Sequence, residues 1–501
     1  MHVRQLLIGA GLFGLGLSTS NCTKNWIDLV KNTLSSSTSI DCTGENQRWS
    51  DYAAPTPGAV VTVGDETDVA KIIAAASKTN TPFLIQSGAN GWADTFTLNS
   101  RGIIIDISNL KTITFNADKT QVTFQAGVTN EDLINAAWNN NARVSASTCN
   151  CVSVLGATLG GGLSRTQGVY GLNIDQLVSL NVINANGVTT TVTPKSNPEL
   201  WWALTGAGAN FGVVTSATYR SYPVAQINNT AWTGLVLFDE SKIEEIVTAV
   251  NELTLEPDMQ MDLYFTASPL DGLPTVIVLP FYLGTEEEGR KKFASILDIG
   301  PTLDTTEVIP YNTWNSAGDP FCTAGGRKPS YTVGVKTMEP TAWRNVWNEY
   351  TAFFNKYEEA NLTTILTECY STAATAASVQ DNGTSSYPFR DIKCYAIAIP
   401  WYTSASVDSD AIQFGENVRS YLIDSAGTSN PSSYVSIPTL VYCTFPRTKP
   451  DLSANSAYSY INFAHGDEPL SQIYGSSLPK LQQLKKKYDP KRRLNQWFPL
   501  S

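Results

Sequence analysis

The stretch from Cys149 to Leu172 reads CNCVSVLGATLGGGLSRTQGVYGL and holds three consecutive glycines, Gly160 to Gly162. Glycine has no Cβ, so such a run lets the backbone approach a flat or anionic group closely. Cys149, a candidate reactive thiol, lies eleven positions before the first of these glycines. A close backbone, free amides and a nearby sulfur favour a cofactor site, and a glycine-rich surface turn is the alternative.

The composition bounds the class of protein. Of 501 residues, 42% are hydrophobic and 16% are charged, which is enough apolar material for a large core in two or three domains. The net charge of −11 argues against binding to a nucleic-acid backbone, because no basic stripe is present to release counterions. The basic cluster at 485–487 and 491–493 is interpreted as a solvated helix face and tail. Asp467 and Glu468 are interpreted as surface loop charges.

Residues 1–20 are typical of a secretory signal peptide, with an apolar run from Leu6 to Leu17 and small residues after it. The run Gly9-Ala10-Gly11-Leu12-Phe13-Gly14 also matches a dinucleotide-binding fingerprint. A true fingerprint leads through a helix to a second strand, whereas Asn21-Cys22-Thr23 follows at once here. We therefore favour the signal peptide. No other apolar run is long enough to span a bilayer, so no membrane span is expected.

Sequons and cysteines point to the same compartment. N-glycans are predicted at Asn21, Asn228, Asn361 and Asn382, so we expect a secreted or lumenal protein of the secretory pathway. Cys22 and Cys42 are placed to staple the amino-terminal helical segment. Pairing is left open by the spacing of the last four cysteines, which are Cys322, Cys369, Cys394 and Cys443. Only two histidines are present, so a histidine metal site or a Ser-His-Asp triad is close to excluded and no metal is expected.

The hydrophobic pattern predicts two regions of different secondary structure along the chain. The first mixes helices with short buried strands and ends near Pro223, with helices at 67–79 and 131–138, strands at 83–85, 102–106 and 121–127, and a hairpin at 178–192. The second has helices at 241–253 and 339–357 and strands of one antiparallel sheet at 275–279, 363–370 and 392–399. A last helix is predicted at 478–488. The fold class is therefore α+β.

Three further motifs converge with the glycine run. Gln86-Ser87-Gly88-Ala89-Asn90-Gly91-Trp92 follows a strand, as a turn that cradles a phosphate would. The second is the segment from Trp201 to Thr215, which contains Gly206-Ala207-Gly208 and Gly212. Near the carboxyl end lies Tyr460-Ile461-Asn462-Phe463.

This ordered set closely resembles the vanillyl-alcohol-oxidase superfamily of flavoproteins, and most of all its berberine-bridge-enzyme-like branch of FAD-linked oxidoreductases in fungal secondary metabolism. The resemblance covers nearly the whole mature chain. It implies a two-part FAD-binding domain with an inserted substrate domain, built on an antiparallel sheet covered by helices. The implied organisation is a signal peptide at 1–20, the FAD-binding domain at 21–225, the substrate domain at 226–455 and a returning berberine-bridge-like segment at 456–501.

The resemblance also implies the cofactor and its contacts. FAD would be held by residues of the four motifs, namely Ser87, Gly88, Ala89, Asn90, Gly91, Trp92, Cys149, Val154, Gly156, Gly160, Gly161, Gly212, Val214 and Asn462. Relatives carry a histidine at the position of Asn90 and bond it to the flavin, but asparagine has no nucleophilic ring nitrogen. The second attachment point in relatives is a cysteine, and Cys149 matches it. A disulfide between Cys149 and Cys151 would be strained, so we expect two thiols there or one thioether at Cys149.

The implied reaction is a two-electron oxidation of a small substrate, apolar or polyketide-like, with O₂ as the acceptor. Plant relatives use a carboxylate on a sheet strand as the base, but the similar strand here, Tyr395 to Ile399, has none. Glu368 and Tyr460 are the candidate catalytic residues. The alternatives are a flavin-bound cyclase of the same fold with little net redox chemistry, and a secreted binding protein that has lost the flavin.

Overall fold

The computed structural model describes residues 24–226, 229–377, 385–425 and 458–500. Its strands are β1 (Ser39–Asp41), β2 (Ala59–Thr62), β3 (Phe83–Gln86), β4 (Ile103–Asp106), β5 (Ile113–Phe115), β6 (Gln121–Gln125), β7 (Ala142–Arg143), β8 (Leu177–Ile183), β9 (Thr189–Val192), β10 (Val213–Arg220), β11 (Tyr222–Pro223), β12 (Thr230–Thr233), β13 (Val236–Phe238), β14 (Met259–Ala267), β15 (Pro274–Tyr282), β16 (Leu303–Asp304), β17 (Glu307–Pro310), β18 (Tyr331–Val335), β19 (Thr364–Tyr370) and β20 (Cys394–Ile399). Its helices are α1 (Lys24–Val30), α2 (Glu66–Thr79), α3 (Asn130–Asn139), α4 (Val154–Thr158), α5 (Gln167–Tyr170), α6 (Pro198–Ala207), α7 (Ile243–Glu252), α8 (Glu286–Lys292), α9 (Ala294–Leu297), α10 (Pro340–Lys356), α11 (Ala373–Ala377), α12 (Asp408–Ser425), α13 (Leu470–Tyr474) and α14 (Leu478–Tyr488).

Two small sheets organise the first half of the chain. The first has the order β1-β2-β4-β3, with β2, β4 and β3 parallel, and the second is an antiparallel sheet in the order β5-β6-β10-β8-β9. Helix α2 begins after Asp65, whose side chain accepts from the backbone N–H of Thr67, and it buries Val69, Ile72 and Ile73. The predicted helices at 67–79 and 131–138 and the hairpin at 178–192 are confirmed.

A nine-stranded antiparallel sheet dominates the second half. Helices α7, α10 and α12 contribute to one apolar core with this sheet. Side chains of a strand alternate between the two faces, so Met261, Leu263 and Phe265 of β14 pack into that core while their neighbours face the other way. The fold is α+β, as predicted, and the sheet presents its second face to the first half of the chain.

The chain's last described segment, 458–500, returns to the first half and packs into its core. The prediction of a solvated basic cluster is wrong for Lys485, which is buried. Its Nζ donates to the backbone oxygens of Asn210 and Leu494 at 2.8 and 2.6 Å and lies 2.9 Å from Asp489. The prediction of a surface charge is also wrong for Glu468, which is buried and accepts from two backbone N–H groups of its own loop, whereas Asp467 is exposed as predicted. Helices in the described ranges lack the combined length and hydropathy needed to cross a bilayer.

Candidate active site

A cavity of about 410 Å³ lies between the first-half sheets and the second face of the large sheet. Its walls come from the end of β3 and the turn after it, the loop around α4, the start of β10, strands β14, β19 and β20, and the carboxyl-terminal segment. Parts distant in sequence therefore meet here, as expected for a ligand site between two packed units.

The predicted residues converge on this cavity with two exceptions. Those that line it are Ser87, Gly88, Ala89, Asn90, Gly91, Trp92, Cys149, Gly156, Gly160, Gly212, Val214, Asn462, Glu368 and Tyr460. Val154 does not line it, because its side chain is fully buried in the core behind α4. Gly161 does not line it either: a Cβ there would lie 3.1 Å from the ring of Tyr387, so this glycine accommodates a side chain of the protein.

The turn from Ser87 to Trp92 follows β3 and offers unused donors. Among the described residues, the backbone N–H groups of Gly88 to Trp92 donate to no protein atom. The side-chain Oδ1 of Asn90 is buried and has no partner, and its Nδ2 lies 4.0 Å from Cys151 Sγ. Buried polar groups without partners are rare, so this turn is built for a ligand that accepts hydrogen bonds from the N–H groups and donates one to Asn90 Oδ1.

Arg48 places a positive charge beside the turn. Its guanidinium is buried and donates to Gln86 Oε1 at 2.7 Å and to the backbone oxygen of Gly91 at 3.0 Å. Burial lowers the pKa of Arg48 to about 10. No carboxylate of the described ranges pairs with it, which leaves a buried cation that an anionic ligand would balance.

The glycine run is held by the carboxyl-terminal segment. The Tyr460 hydroxyl accepts from the backbone N–H of Gly162 at 2.9 Å and from Asn462 Nδ2 at 2.6 Å. Asn462 Nδ2 also donates to the backbone oxygen of Ala157, at 2.7 Å. A Cβ at Gly160 would lie 2.2 Å from Asn462 Oδ1, so glycine is required for this close approach. Burial raises the pKa of Tyr460.

Three sulfurs meet at the edge of the cavity. Cys151 forms a disulfide with Cys322. The prediction of two free thiols, at Cys149 and Cys151, is therefore wrong for Cys151. The partner is 171 residues away, and sequence spacing could not reveal it. Cys149 is the free thiol of this group, with its Sγ 3.6 Å from Cys151 Sγ and 3.8 Å from Cys322 Sγ. Burial raises the pKa of Cys149 to about 11.

The other cysteines fall into two groups. Cys369 and Cys394 are directly opposite in the β19–β20 register and form a disulfide within the large sheet. Cys42 is disulfide-bonded, and Cys22 and Cys443 lie outside the described residues.

Glu368 is the one carboxylate lining the cavity in the described part of the chain. It lies on β19, directly opposite Asp262 of β14 and Tyr395 of β20. Its Oε1 accepts from Thr148 Oγ1 at 3.0 Å, and its Oε2 accepts from the Tyr370 hydroxyl at 2.9 Å. Burial, and then the negative charge of Asp262, raise the pKa of Glu368 to about 7.

Arg165 lines the cavity on the same side, and the sequence analysis missed it. Its Nη1 donates to Gln260 and lies 3.3 Å from Asp262 Oδ2, while its Nε lies 3.4 Å from Asn315 Oδ1. Arg165 follows the glycine run by only three residues, but nothing in that spacing says that its side chain crosses to the large sheet.

Aromatic side chains form the remaining wall, and motif reasoning missed most of them. The rings of Trp49 and Trp92 lie 5.3 Å apart, and Trp92 stacks on Phe463 at 6.0 Å. Tyr264 stacks on Phe321 at 6.2 Å. The signal that could have found Tyr264 is its spacing of two from Asp262, which puts both on one face of β14.

Comparison with known proteins identifies the family. The family described as FAD binding domain matches residues 57–193, and the one described as berberine and berberine like matches residues 459–495. The FAD-linked oxidoreductase OXR1 of Pyricularia oryzae is 32% identical over 459 residues, covering 89% of this chain and 84% of that protein. The chain belongs to the berberine-bridge-enzyme-like family of FAD-linked oxidoreductases.

Solved structures of low identity share the fold. A carbohydrate oxidase from Microdochium nivale gives a TM-score of 0.76 at 16% identity, covering 95% of this chain and 99% of that one. A glucooligosaccharide oxidase from Acremonium strictum gives a TM-score of 0.69 at 15% identity, covering 89% of this chain and 92% of that one. That enzyme is described with a 6-S-cysteinyl, 8α-N1-histidyl FAD.

The berberine-bridge-like oxidoreductase offers a donor set that fits FAD. The free N–H groups of Gly88 to Trp92 and the Arg48 guanidinium suit a pyrophosphate, because both favour a close anion. The unpartnered Oδ1 of Asn90 requires a donor from the ligand. The residues at the turn are therefore consistent with this cofactor without a histidyl bond.

Proposed function

We propose that this FAD-linked oxidoreductase is an oxidase that removes two electrons from a small, flat, largely apolar secondary metabolite and passes them to O₂. The observation that carries the proposal is the position of Glu368, the cavity's carboxylate in the described residues, with a pKa near neutrality. Bound FAD supplies the redox chemistry by accepting a hydride and returning the electrons to O₂.

Glu368 is the proposed general base. A base works best when its pKa is close to the working pH, because it is then both available and strong enough. Thr148 and Tyr370 each donate to one of its oxygens, so the carboxyl group is held in one orientation. Tyr460 is less suited, because burial raises its pKa and its hydroxyl oxygen is already engaged by Gly162 and Asn462.

The wall composition supports a flat apolar substrate. Trp49, Trp92, Phe321, Leu366 and Ile397 line the cavity around Glu368. Such rings favour stacking on another flat group and leave few polar contacts for a sugar. We therefore assign an aromatic or polyene substrate, rather than a carbohydrate such as the Microdochium nivale enzyme's name implies.

We propose that any covalent tether is a thioether from Cys149. Asn90 cannot form the histidyl bond, and Cys149 is the cysteine of its cluster outside the disulfide. The 6-S-cysteinyl FAD of the Acremonium strictum oxidase supports a thioether in this fold. We also retain, as proposals, the domain boundaries at 225 and 455 and a secretory destination.

The variant Glu368→Gln tests the base. We expect the rate of peroxide release to fall about 100-fold, within the range typical of a lost general base. In the native enzyme kcat/KM should rise with pH up to about 7 and then level off, because the base must be deprotonated, and the variant should lose this limb. Glu307→Gln on the exposed edge of the large sheet is the control.

Three outcomes separate the alternatives. Peroxide release from a purified yellow protein supports the oxidase. Product formation without peroxide and without a second electron acceptor would support the cyclase. A colourless protein that cannot be reconstituted with FAD would contradict both, and an unchanged Glu368→Gln rate would contradict the role of Glu368 alone.

A further inference from the structure

Arg165 has a donor that the protein does not use. Its side chain is 6% exposed and lines the cavity, while Nε and Nη1 face Asn315, Gln260 and Asp262. Its Nη2 donates to no atom of the described residues, and this atom keeps some accessible surface. The N–H groups of Nη2 are therefore the ones available to a molecule in the cavity.

Strand register places the two partners of Arg165, Gln260 and Asp262, beside the proposed base Glu368. Asp262 lies directly opposite Glu368 in the β14–β19 pair, and Gln260 lies opposite Tyr370. All four side chains belong to the face of the sheet that meets the cavity, because they alternate with residues of the helix-covered core. Arg165 comes from the other side of the cavity, three residues after the glycine run ends at Gly162, and contacts Asp262 of this group.

The charges of Arg165, Asp262 and Glu368 sum to zero when Glu368 is protonated. The Arg165 guanidinium is paired with Asp262, and both are buried. Ionised Glu368 then adds one uncompensated negative charge, in agreement with its raised pKa. When a substrate hydroxyl gives its proton to Glu368, that charge moves to the substrate oxygen, where a cation is needed to hold it.

We propose that Arg165 Nη2 binds the substrate oxygen that loses its proton to Glu368, so that the site selects flat substrates with an acidic hydroxyl, a phenol or an enol. The substrate O–H bond breaks, the proton goes to a Glu368 carboxylate oxygen, and the electron pair stays on the substrate oxygen beside Arg165. The inference rests on the proposed function, since it takes Glu368 as the base. Arg48, the other arginine of the cavity wall, is engaged at the turn after β3.

A series of para-substituted phenols tests the proposal on the FAD-loaded protein. Dissociation constants are measured at one pH for 4-methoxyphenol, 4-chlorophenol and 4-cyanophenol, by calorimetry. In the native enzyme affinity should increase with phenol acidity. Arg165→Gln should weaken the binding of 4-cyanophenol by about 10- to 100-fold, the usual range for a hydrogen bond to a charged group. The affinity of the variant should then no longer depend on the acidity of the phenol.

Two variants keep this test decisive. Arg165→Gln leaves Asp262 without its cation, so the double variant Arg165→Gln/Asp262→Asn restores a neutral wall while still removing Nη2. Arg143→Gln removes another buried arginine, one that packs on Trp314 outside the cavity, and should leave the phenol series unchanged. Flavin absorbance of each variant confirms that it has folded and loaded.

The result can be separated from the role of the base. Glu368→Gln should lose turnover, because Gln cannot accept the proton. It should keep the dependence of phenol affinity on acidity, because phenol that is already ionised in solution still binds as a phenolate to Arg165 Nη2. If affinity still increases with phenol acidity in both the Arg165→Gln variant and the double variant, the proposed role of Arg165 is wrong. A flat series in the native enzyme would overturn it as well, whatever Glu368 does.

Discussion

Asn90 occupies the position at which the family resemblance implies a histidine bonded to the flavin. It lines the cavity, its Oδ1 is buried without a partner, and the Cys151 sulfur that lies 4.0 Å from its Nδ2 is in a disulfide. The turn therefore offers a hydrogen-bond acceptor at residue 90, and an asparagine has no ring nitrogen that could bond to a flavin. We expect the flavin of this protein to have a lower reduction potential than a flavin bonded through a histidine, since each covalent bond is expected to raise that potential.

The variant Asn90→His tests this difference. We expect the histidine to form a covalent bond with the flavin, because the turn already places residue 90 at the cavity and the ring supplies the missing nucleophile. The chain, run on a denaturing gel, should then fluoresce under ultraviolet light even when Cys149 is replaced by serine. Asn90→Gln is the matched control and should show no such band in the Cys149→Ser background.

At this scale the sequence predicted the turn, the glycine run and Glu368, but not the two arginines that lie beside them, Arg48 and Arg165. Glycine runs are visible because their conformational role is local. Arg48 and Arg165 are ordinary arginines in the sequence, and their importance comes from burial beside a turn and a sheet that are distant along the chain. Lys485 was mispredicted for the same reason, because its carbonyl partners come from residues 210 and 494.

Among the elements, the short 3₁₀ segment Ser316–Cys322, here called the cap segment, connects the two walls of the cavity. Gly318 and Phe321 line the cavity, and the backbone oxygen of Phe321 accepts from Trp49 Nε1 at 2.6 Å. Asp319 accepts from Asn150 Nδ2 at 2.7 Å, next to the disulfide between Cys151 and Cys322. The cap segment is thus fastened by a covalent bond and by hydrogen bonds on both sides.

Removing this disulfide should loosen the cap as well as the fold. In the Cys149→Ser background, where no thioether can hold the flavin, we expect the double variant Cys151→Ser/Cys322→Ser to lose about 2 to 5 kcal/mol of unfolding free energy and to release FAD faster on dilution. Both cysteines of the disulfide are replaced so that no free thiol remains in the cap segment. Thermal unfolding and the rise of free-flavin fluorescence measure the two effects.

The second disulfide provides the control. Cys369→Ser/Cys394→Ser removes a bond between neighbouring strands of the large sheet, away from the cap segment. It should lower stability without accelerating FAD release. Equal release from both double variants would contradict a specific role for the cap.

Element prediction succeeded where the pattern was periodic and local. The helix predicted at 67–79 is α2, and the strand predicted at 363–370 is β19. The strand predicted at 275–279 is longer, from Pro274 to Tyr282, because its pairing with β14 continues past the apolar run. The cap segment gave no signal, since its geometry depends on a disulfide to a distant loop.

For the whole molecule, the one sequon with a described asparagine is exposed. Asn361 lies in the connection between α10 and β19 and faces solvent, whereas Asn21, Asn228 and Asn382 lie outside the described residues. If the chain enters the secretory pathway, a glycan at Asn361 is sterically permitted. This bears on the predicted destination and not on the site.

We expect enzymatic removal of N-glycans to increase the gel mobility of the protein from a eukaryotic secretory host. Asn361→Gln should reduce this mobility shift by the contribution of one glycan while activity is retained, because Asn361 does not line the cavity. Retention of the full shift in the variant would show that Asn361 is not modified. Absence of any shift in the native protein would contradict the secretory prediction itself.

The core that surrounds the cavity is discontinuous along the chain. It contains Trp26 near one end and Leu500 at the other, whereas the core of the large sheet lies wholly between Trp232 and Ile423. During synthesis the sheet can therefore complete its packing while the flavin-binding half still lacks its last forty residues or so. Cofactor capture then has to wait for the segment 458–500, and we expect removal of this segment to abolish FAD binding while leaving a folded sheet behind.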